Sequence, residues 1–85
     1  MDDLAFRRRE MLKNLLDDPL FKEAIDDVST DLMSAIRSTG MQQSDLRENY
    51  YFEFLALERI VGKLNAYAGE VVFVRAAREK ERQRG

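Results

Sequence analysis

The sequence contains no cysteine and no histidine. Without cysteine no disulfide can form, and cysteine usage does not indicate whether the protein works in an oxidising or a reducing compartment. Without either residue, zinc, haem and iron–sulfur sites lose their usual ligands, and the commonest general base and the thiol nucleophile of enzymes are missing. A carboxylate-only site for magnesium or calcium stays open, but no loop has the ligand spacing of an EF-hand. We therefore predict no catalytic residue, no cofactor and no metal, and we expect the protein not to be an enzyme.

Proline, glycine and long apolar runs are also scarce. One proline and four glycines, beside 45% hydrophobic and 35% charged residues, are typical of a compact helical protein rather than a disordered one. No apolar run exceeds four residues. Neither a transmembrane helix nor a signal-peptide core fits such short runs, so we expect no membrane association.

The most informative feature that is present is an apolar stripe in the second half of the chain. Its members are separated by alternating steps of four and three residues over three heptads. This spacing predicts a long helix that buries one face against other helices, as in a coiled coil. The stripe consists of Tyr50, Phe54, Leu57, Val61, Leu64, Ala68 and Val71.

Local signals predict two helices in the first half of the chain. An aspartate at the start can cap a first helix over residues 1–16. Pro19 ends that helix, because proline disfavours helix at the residue before it. Asp18 as cap and Pro19 as first helical residue then begin a second helix over residues 18–39.

Gly40 marks the turn to a third helix, since glycine accepts the left-handed conformation that closes many helices. The third helix is predicted over residues 44–74 and is followed by a basic tail, 75–85, whose composition suits a solvated helical extension that frays before Gly85. Residues 70–74 have the composition of a strand, but we interpret them as helix because the sequence offers no partner strand.

These elements predict a single all-α domain over residues 1–85. The short loop makes the second and third helices an antiparallel hairpin, and the first helix packs across one end or reaches another subunit. A chain this small has a thin stability margin, and neither a disulfide nor a metal is available to raise it. We therefore expect the hairpin to pack into an oligomeric bundle.

An aromatic run on the third helix is the predicted protein interface. Its side chains point in every direction around a helix, so one hairpin partner cannot cover all of them, and large exposed apolar patches are uncommon on monomers. The tyrosines could instead line the hairpin core with their hydroxyls at its edge. The predicted interface residues are Tyr50, Tyr51, Phe52, Phe54 and Leu55.

Charge is segregated although the net charge is only −2. Residues 17–31 hold six acidic side chains and one lysine, and residues 75–85 hold five basic side chains and two glutamates. The two segments could attract each other within or between subunits, or both could be solvated helix faces. The tail could contact nucleic acid or an acidic partner, although the net acidity disfavours DNA. Its basic residues are Arg75, Arg78, Lys80, Arg82 and Arg84.

One resemblance accompanies these features. Residues 18–24 read DPLFKEA, and Arg47-Glu48 is followed by an aromatic run, LALERI at 55–60 and Leu64. Over residues 17–70 the chain resembles small tailed-phage proteins, mostly of unassigned function, some of them set among head and packaging genes. The resemblance implies a helical, non-enzymatic part in virion assembly or infection, and it assigns no site residues.

We therefore expect a phage protein that acts through helix-mediated contacts with proteins, most simply with itself, in an assembly or virion role. It would reside in the host cytoplasm during infection, or in the virion. One alternative is an inhibitor of a host enzyme or defence complex. Another is a DNA-packaging accessory that uses the Arg-rich tail.

Overall fold

Three α-helices make up the computed structural model, which describes residues 1–84. They are α1 (Asp3–Asp17), α2 (Pro19–Arg37) and α3 (Ser44–Arg84). The all-α class is confirmed. Residues 70–74 are helical, and α3 runs on through the predicted tail to Arg84 without a break. Gly85, the end of that predicted tail, lies outside the described residues.

The junction between α1 and α2 is made by one residue. The backbone N–H of Asp18 donates to the carbonyl of Leu15 at 3.1 Å, which closes the end of α1. The carboxylate of Asp18 accepts the backbone N–H of Leu20 at 2.8 Å, which caps the start of α2. Pro19 occupies the first turn of α2, where its missing N–H costs nothing. The predicted stop and restart at this point is confirmed.

The turn after α2 is closed differently from the prediction. No glycine within residues 1–84 has a positive φ, so the expected left-handed closure at Gly40 is wrong. Instead the hydroxyl of Thr39 donates to the carbonyl of Ile36 at 2.7 Å. Arg47 of α3 then donates to the hydroxyl of Thr39 and to the carbonyl of Gly40, both at 2.8 Å. A side chain from the next helix fixes the turn.

α3 is the longest helix, and both α1 and α2 pack along it. Its 41 residues span about 61 Å at 1.5 Å per residue, whereas the 19 residues of α2 span about 28 Å. α2 runs antiparallel along the first half of α3, and α1 lies along the second half. The hairpin is confirmed, but α1 neither crosses its end nor leaves the subunit. It extends the hairpin, because α2 alone is too short to cover α3.

The stripe that begins at Tyr50 is the inward face of α3. All seven of its members are buried or half-buried. The buried side chains among residues 1–84 are nevertheless few, namely Phe6, Leu64 and Val71, and of these Val71 alone is fully buried. Phe6 lies on α1, Leu64 and Val71 lie on the second half of α3, and α2 contributes no buried residue.

The chain is long and thin. It measures 67 × 22 × 19 Å, with a radius of gyration of 18.5 Å, against about 12 Å for a compact domain of this length. Its accessible surface is 6859 Å², against about 5,200 Å² for an ordinary monomer of this mass. About 1,650 Å² is therefore exposed in excess. Within residues 1–84, no helix combines the length and the apolar character needed to cross a membrane.

Candidate protein-binding surface

The five predicted interface residues divide between two faces of α3. Tyr50 and Phe54 are half-buried on the inward face. Tyr51, Phe52 and Leu55 stay at the surface, with 51%, 55% and 40% of their area exposed. We call these three residues the aromatic surface. Aromatic side chains in such a position bring large apolar area to a contact at a low entropic cost.

An apolar groove adjoins the aromatic surface. It lies between the end of α2 and the start of α3, has a volume of about 220 Å³, and is open to solvent. Met33, itself an exposed side chain, adds to the apolar area on the α2 side. The groove suits an inserted side chain rather than an enclosed small molecule. Its lining residues are Met33, Ile36, Arg37, Tyr51 and Phe54.

Two carboxylates line a second groove, which is open to water. It holds about 370 Å³ between α2 and α3, and it contains Asp26 and Glu58, both of which are solvent-exposed. Paired carboxylates catalyse in a cleft that shields them from water, and this groove does not. Within residues 1–84, no group of three or more side chains is arranged to hold a metal ion.

The basic tail is anchored to α1. Arg75 forms an ion pair with Glu10, and Arg78 lies 3.3 Å from a carboxylate oxygen of Asp3. The predicted attraction between the tail and residues 17–31 is therefore not what holds the tail within one chain. Exposed ion pairs of this kind contribute about 0–1 kcal/mol each to the free energy of unfolding. They therefore help to set the position of α1 on α3 and add little to stability.

Two arginines also stack on aromatic rings between α1 and α3. The guanidinium of Arg9 lies 3.6 Å from the centre of the Tyr67 ring, while its Nε lies 3.2 Å from a carboxylate oxygen of Glu70. The guanidinium of Arg78 lies 4.3 Å from the centre of the buried Phe6 ring. A cation over a ring adds about 0.5–1 kcal/mol at exposed sites. The α1–α3 half is thus held by several directed contacts.

A second stripe on α3 was missed by the sequence reasoning. It starts at Phe52, two residues after Tyr50, which is a rotation of about 200° around the helix. It repeats the same alternation of three and four, and every member is exposed. Counting a second heptad register would have found it. The second stripe consists of Phe52, Leu55, Arg59, Gly62, Ala66, Gly69, Phe73 and Ala76.

One ionisable group stands out at the end of α1. Asp17 lies in the last turn, where the helix dipole disfavours a negative charge. Lys13 donates a hydrogen bond to its carboxylate at 2.9 Å. That hydrogen bond, followed by the lysine charge, lowers the pKa of Asp17 below its ordinary value. The pair therefore extends the ionised range of Asp17 to a lower pH than that of an ordinary aspartate.

Comparison with protein-family models, with curated proteins and with solved structures finds no match to this chain. Function is therefore inferred from what α3 leaves exposed. Two features stand out there: the aromatic surface, and the second stripe that continues from it toward Phe73.

Proposed function

We propose that the protein is a non-enzymatic helical protein of a tailed phage. It acts by binding other proteins, first of all a second copy of itself, in an assembly or virion role. The observation that carries this proposal is the excess exposed area of about 1,650 Å². A standard protein interface buries about 800 Å² on each partner, so the excess is large enough for one or two such contacts.

The aromatic surface supports the same proposal. Interface cores are enriched in tyrosine and phenylalanine and depleted of charge. Tyr51, Phe52 and Leu55 supply such a centre beside the open groove at Met33. Charged side chains such as Glu48 and Glu53 stand around it, as at the polar rim of an interface.

The phage setting rests on the resemblance over residues 17–70. It places the protein in the host cytoplasm during infection, or in the virion. A partner from the virion would add to the self-contact rather than replace it, because the excess area exceeds one standard interface.

A host-directed inhibitor is the second candidate, and one observation favours it. Asp26, Asp27 and Asp31 of α2 form no ion pair within residues 1–84, so this acidic face is free to meet a basic host surface. A DNA-packaging accessory is less well supported. Arg75 and Arg78 would have to exchange carboxylate partners for phosphates.

Light scattering on the purified chain tests the proposal. We expect a mass of at least twice 9.9 kDa at micromolar concentration. Serine at both Tyr51 and Phe52 should lower that mass, whereas Met11→Ser, which removes a side chain 71% exposed on α1, should leave it unchanged. A strict monomer up to about 200 μM would refute self-association, since stable interfaces of this size bind more tightly.

A further inference from the structure

The second stripe faces solvent along most of α3. Its two phenylalanines and Leu55 lie near its ends, and Phe73 is 75% exposed. Residues 52–76 extend over about 36 Å, or seven helical turns. An exposed face of this length, with apolar or small residues at every position except Arg59, calls for a partner helix on a chain with so much excess area.

We propose that two copies of the chain pair antiparallel through the second stripe of α3, around a two-fold axis near Leu64. This inference rests on the proposed self-association and adds its face, its direction and its register. It makes the contact isologous, so each copy contributes the same residues.

The register follows from the composition of the second stripe. The two-fold axis passes between the two α3 helices at the level of residue 64. A residue a given number of positions before 64 therefore faces the partner's residue the same number of positions after 64, so that the two numbers add up to 128. The large side chains of Phe52 and Arg59 then each meet a small residue, the two small residues near the axis let the helices approach closely, and Leu55 packs on Phe73, as side chains interlock in coiled coils. The facing pairs are Phe52 with the partner's Ala76, Leu55 with the partner's Phe73, Arg59 with the partner's Gly69, and Gly62 with the partner's Ala66.

The two glycines fit this arrangement and have no reason to be glycine within one chain. Each costs about 1 kcal/mol relative to alanine inside a helix. A Cβ atom at Gly62 or at Gly69 would meet nothing within 4 Å, so no contact inside the subunit requires the absence of a side chain. Close approach of a second helix does.

The direction follows from charge. Residues 44–62 hold four carboxylates and two arginines, a net charge of −2, and residues 63–84 hold six basic side chains and three glutamates, a net charge of +3. An antiparallel pair places each half against the opposite sign, whereas a parallel pair places like charges together. The acidic side chains of α2 reinforce the contrast, because α2 lies along the negative half.

Disulfide trapping tests direction and register, and the absence of native cysteine leaves the chain free for it. Arg59→Cys and Gly69→Cys proteins are mixed and oxidised, each carrying a different mass tag. We expect links only between the two variants, because same-numbered cysteines would lie about 15 Å apart in the antiparallel pair. Links within each variant would overturn the proposal in favour of a parallel pair.

Two further outcomes separate this inference from the proposed function. A dimer by light scattering that forms no disulfide would overturn the second-stripe interface and leave self-association intact. Another exposed apolar face, such as the one at Leu4, Met11 and Leu15 of α1, would then be the contact. A monomer at all concentrations would overturn both.

A charge on the second stripe gives an independent measurement. Phe73→Glu should keep the helical fold, since the side chain is exposed, and should raise the dimer Kd by at least about 30-fold. Leu20→Glu is the matched control, because Leu20 is also 75% exposed but lies on α2. Equal Kd values for the two variants would overturn the proposal.

Discussion

Replacing Val71 by alanine should destabilise the protein far more than the same replacement at Val72. The two valines are neighbours on α3, but Val71 is 0% exposed and Val72 is 57% exposed. Both changes alter helix propensity by the same amount. The difference between the two variants therefore measures burial against α1 alone.

The magnitude follows from the buried groups. Val71→Ala removes two methylene-sized groups from a fully buried site, a loss of about 1.6 kcal/mol. The remaining cavity brings the cost to about 2–3 kcal/mol. Alanine returns about 0.5 kcal/mol through its better helix propensity. Val72→Ala loses less than half of the transfer free energy, about 0.7 kcal/mol, which the propensity gain offsets.

Thermal unfolding followed by circular dichroism at 222 nm measures both variants. A difference of about 2 kcal/mol corresponds to a difference in Tm of about 8–16 °C for a chain of this size. Melts at two protein concentrations a hundredfold apart separate any effect on self-association, which makes Tm depend on concentration. Equal Tm values, or a lower one for Val72→Ala, would show that α1 does not pack on α3 as described.

Three further changes test other parts of the fold. Asp18→Ala should lower the free energy of unfolding by about 1 kcal/mol through loss of the α2 cap, whereas Asp18→Asn, which still caps, should be close to wild type in the same denaturant titration. Leu57→Asp should unfold or dissociate the protein, because it places an unpaired charge on the inward face; unchanged Tm and mass would contradict this. Lys13→Met should return the pKa of Asp17 toward 3.8, as followed by NMR titration. Because that pKa is lowered in the folded chain, the pair stabilises the fold above the ordinary value and ceases to do so as the pH falls through the lowered one.

The helices and the inward face of α3 were accessible from the sequence because they depend on local rules. The alternation that begins at Tyr50 identifies one buried face, and Asp18 followed by Pro19 marks a helix boundary by capping chemistry alone. The turn at Gly40 was predicted wrongly. Its closure depends on hydrogen bonds from Arg47 of α3, and these form only when α2 and α3 have paired.

The placement of α1 could not be predicted from local rules. It depends on which residues meet when α1 slides along α3: Arg9 reaches Tyr67, and Glu10 reaches Arg75. Those pairs are almost 60 or more residues apart in the chain, and several other registers would also pair opposite charges. Part of the candidate binding surface could be predicted from the sequence. The aromatic run was found, but separating Tyr51 from Tyr50 requires knowing which face α2 covers.

The three buried side chains all belong to the half of the molecule that holds the chain ends, and α2 has none. The hairpin end near Gly40 is therefore the part that opens first, as a local unfolding unit of low stability. Its amides should exchange hydrogen faster than those around Val71. A partner that binds the aromatic surface should slow that exchange, because it adds burial to the half of the molecule that has least. Binding at the aromatic surface would then stabilise the hairpin end locally.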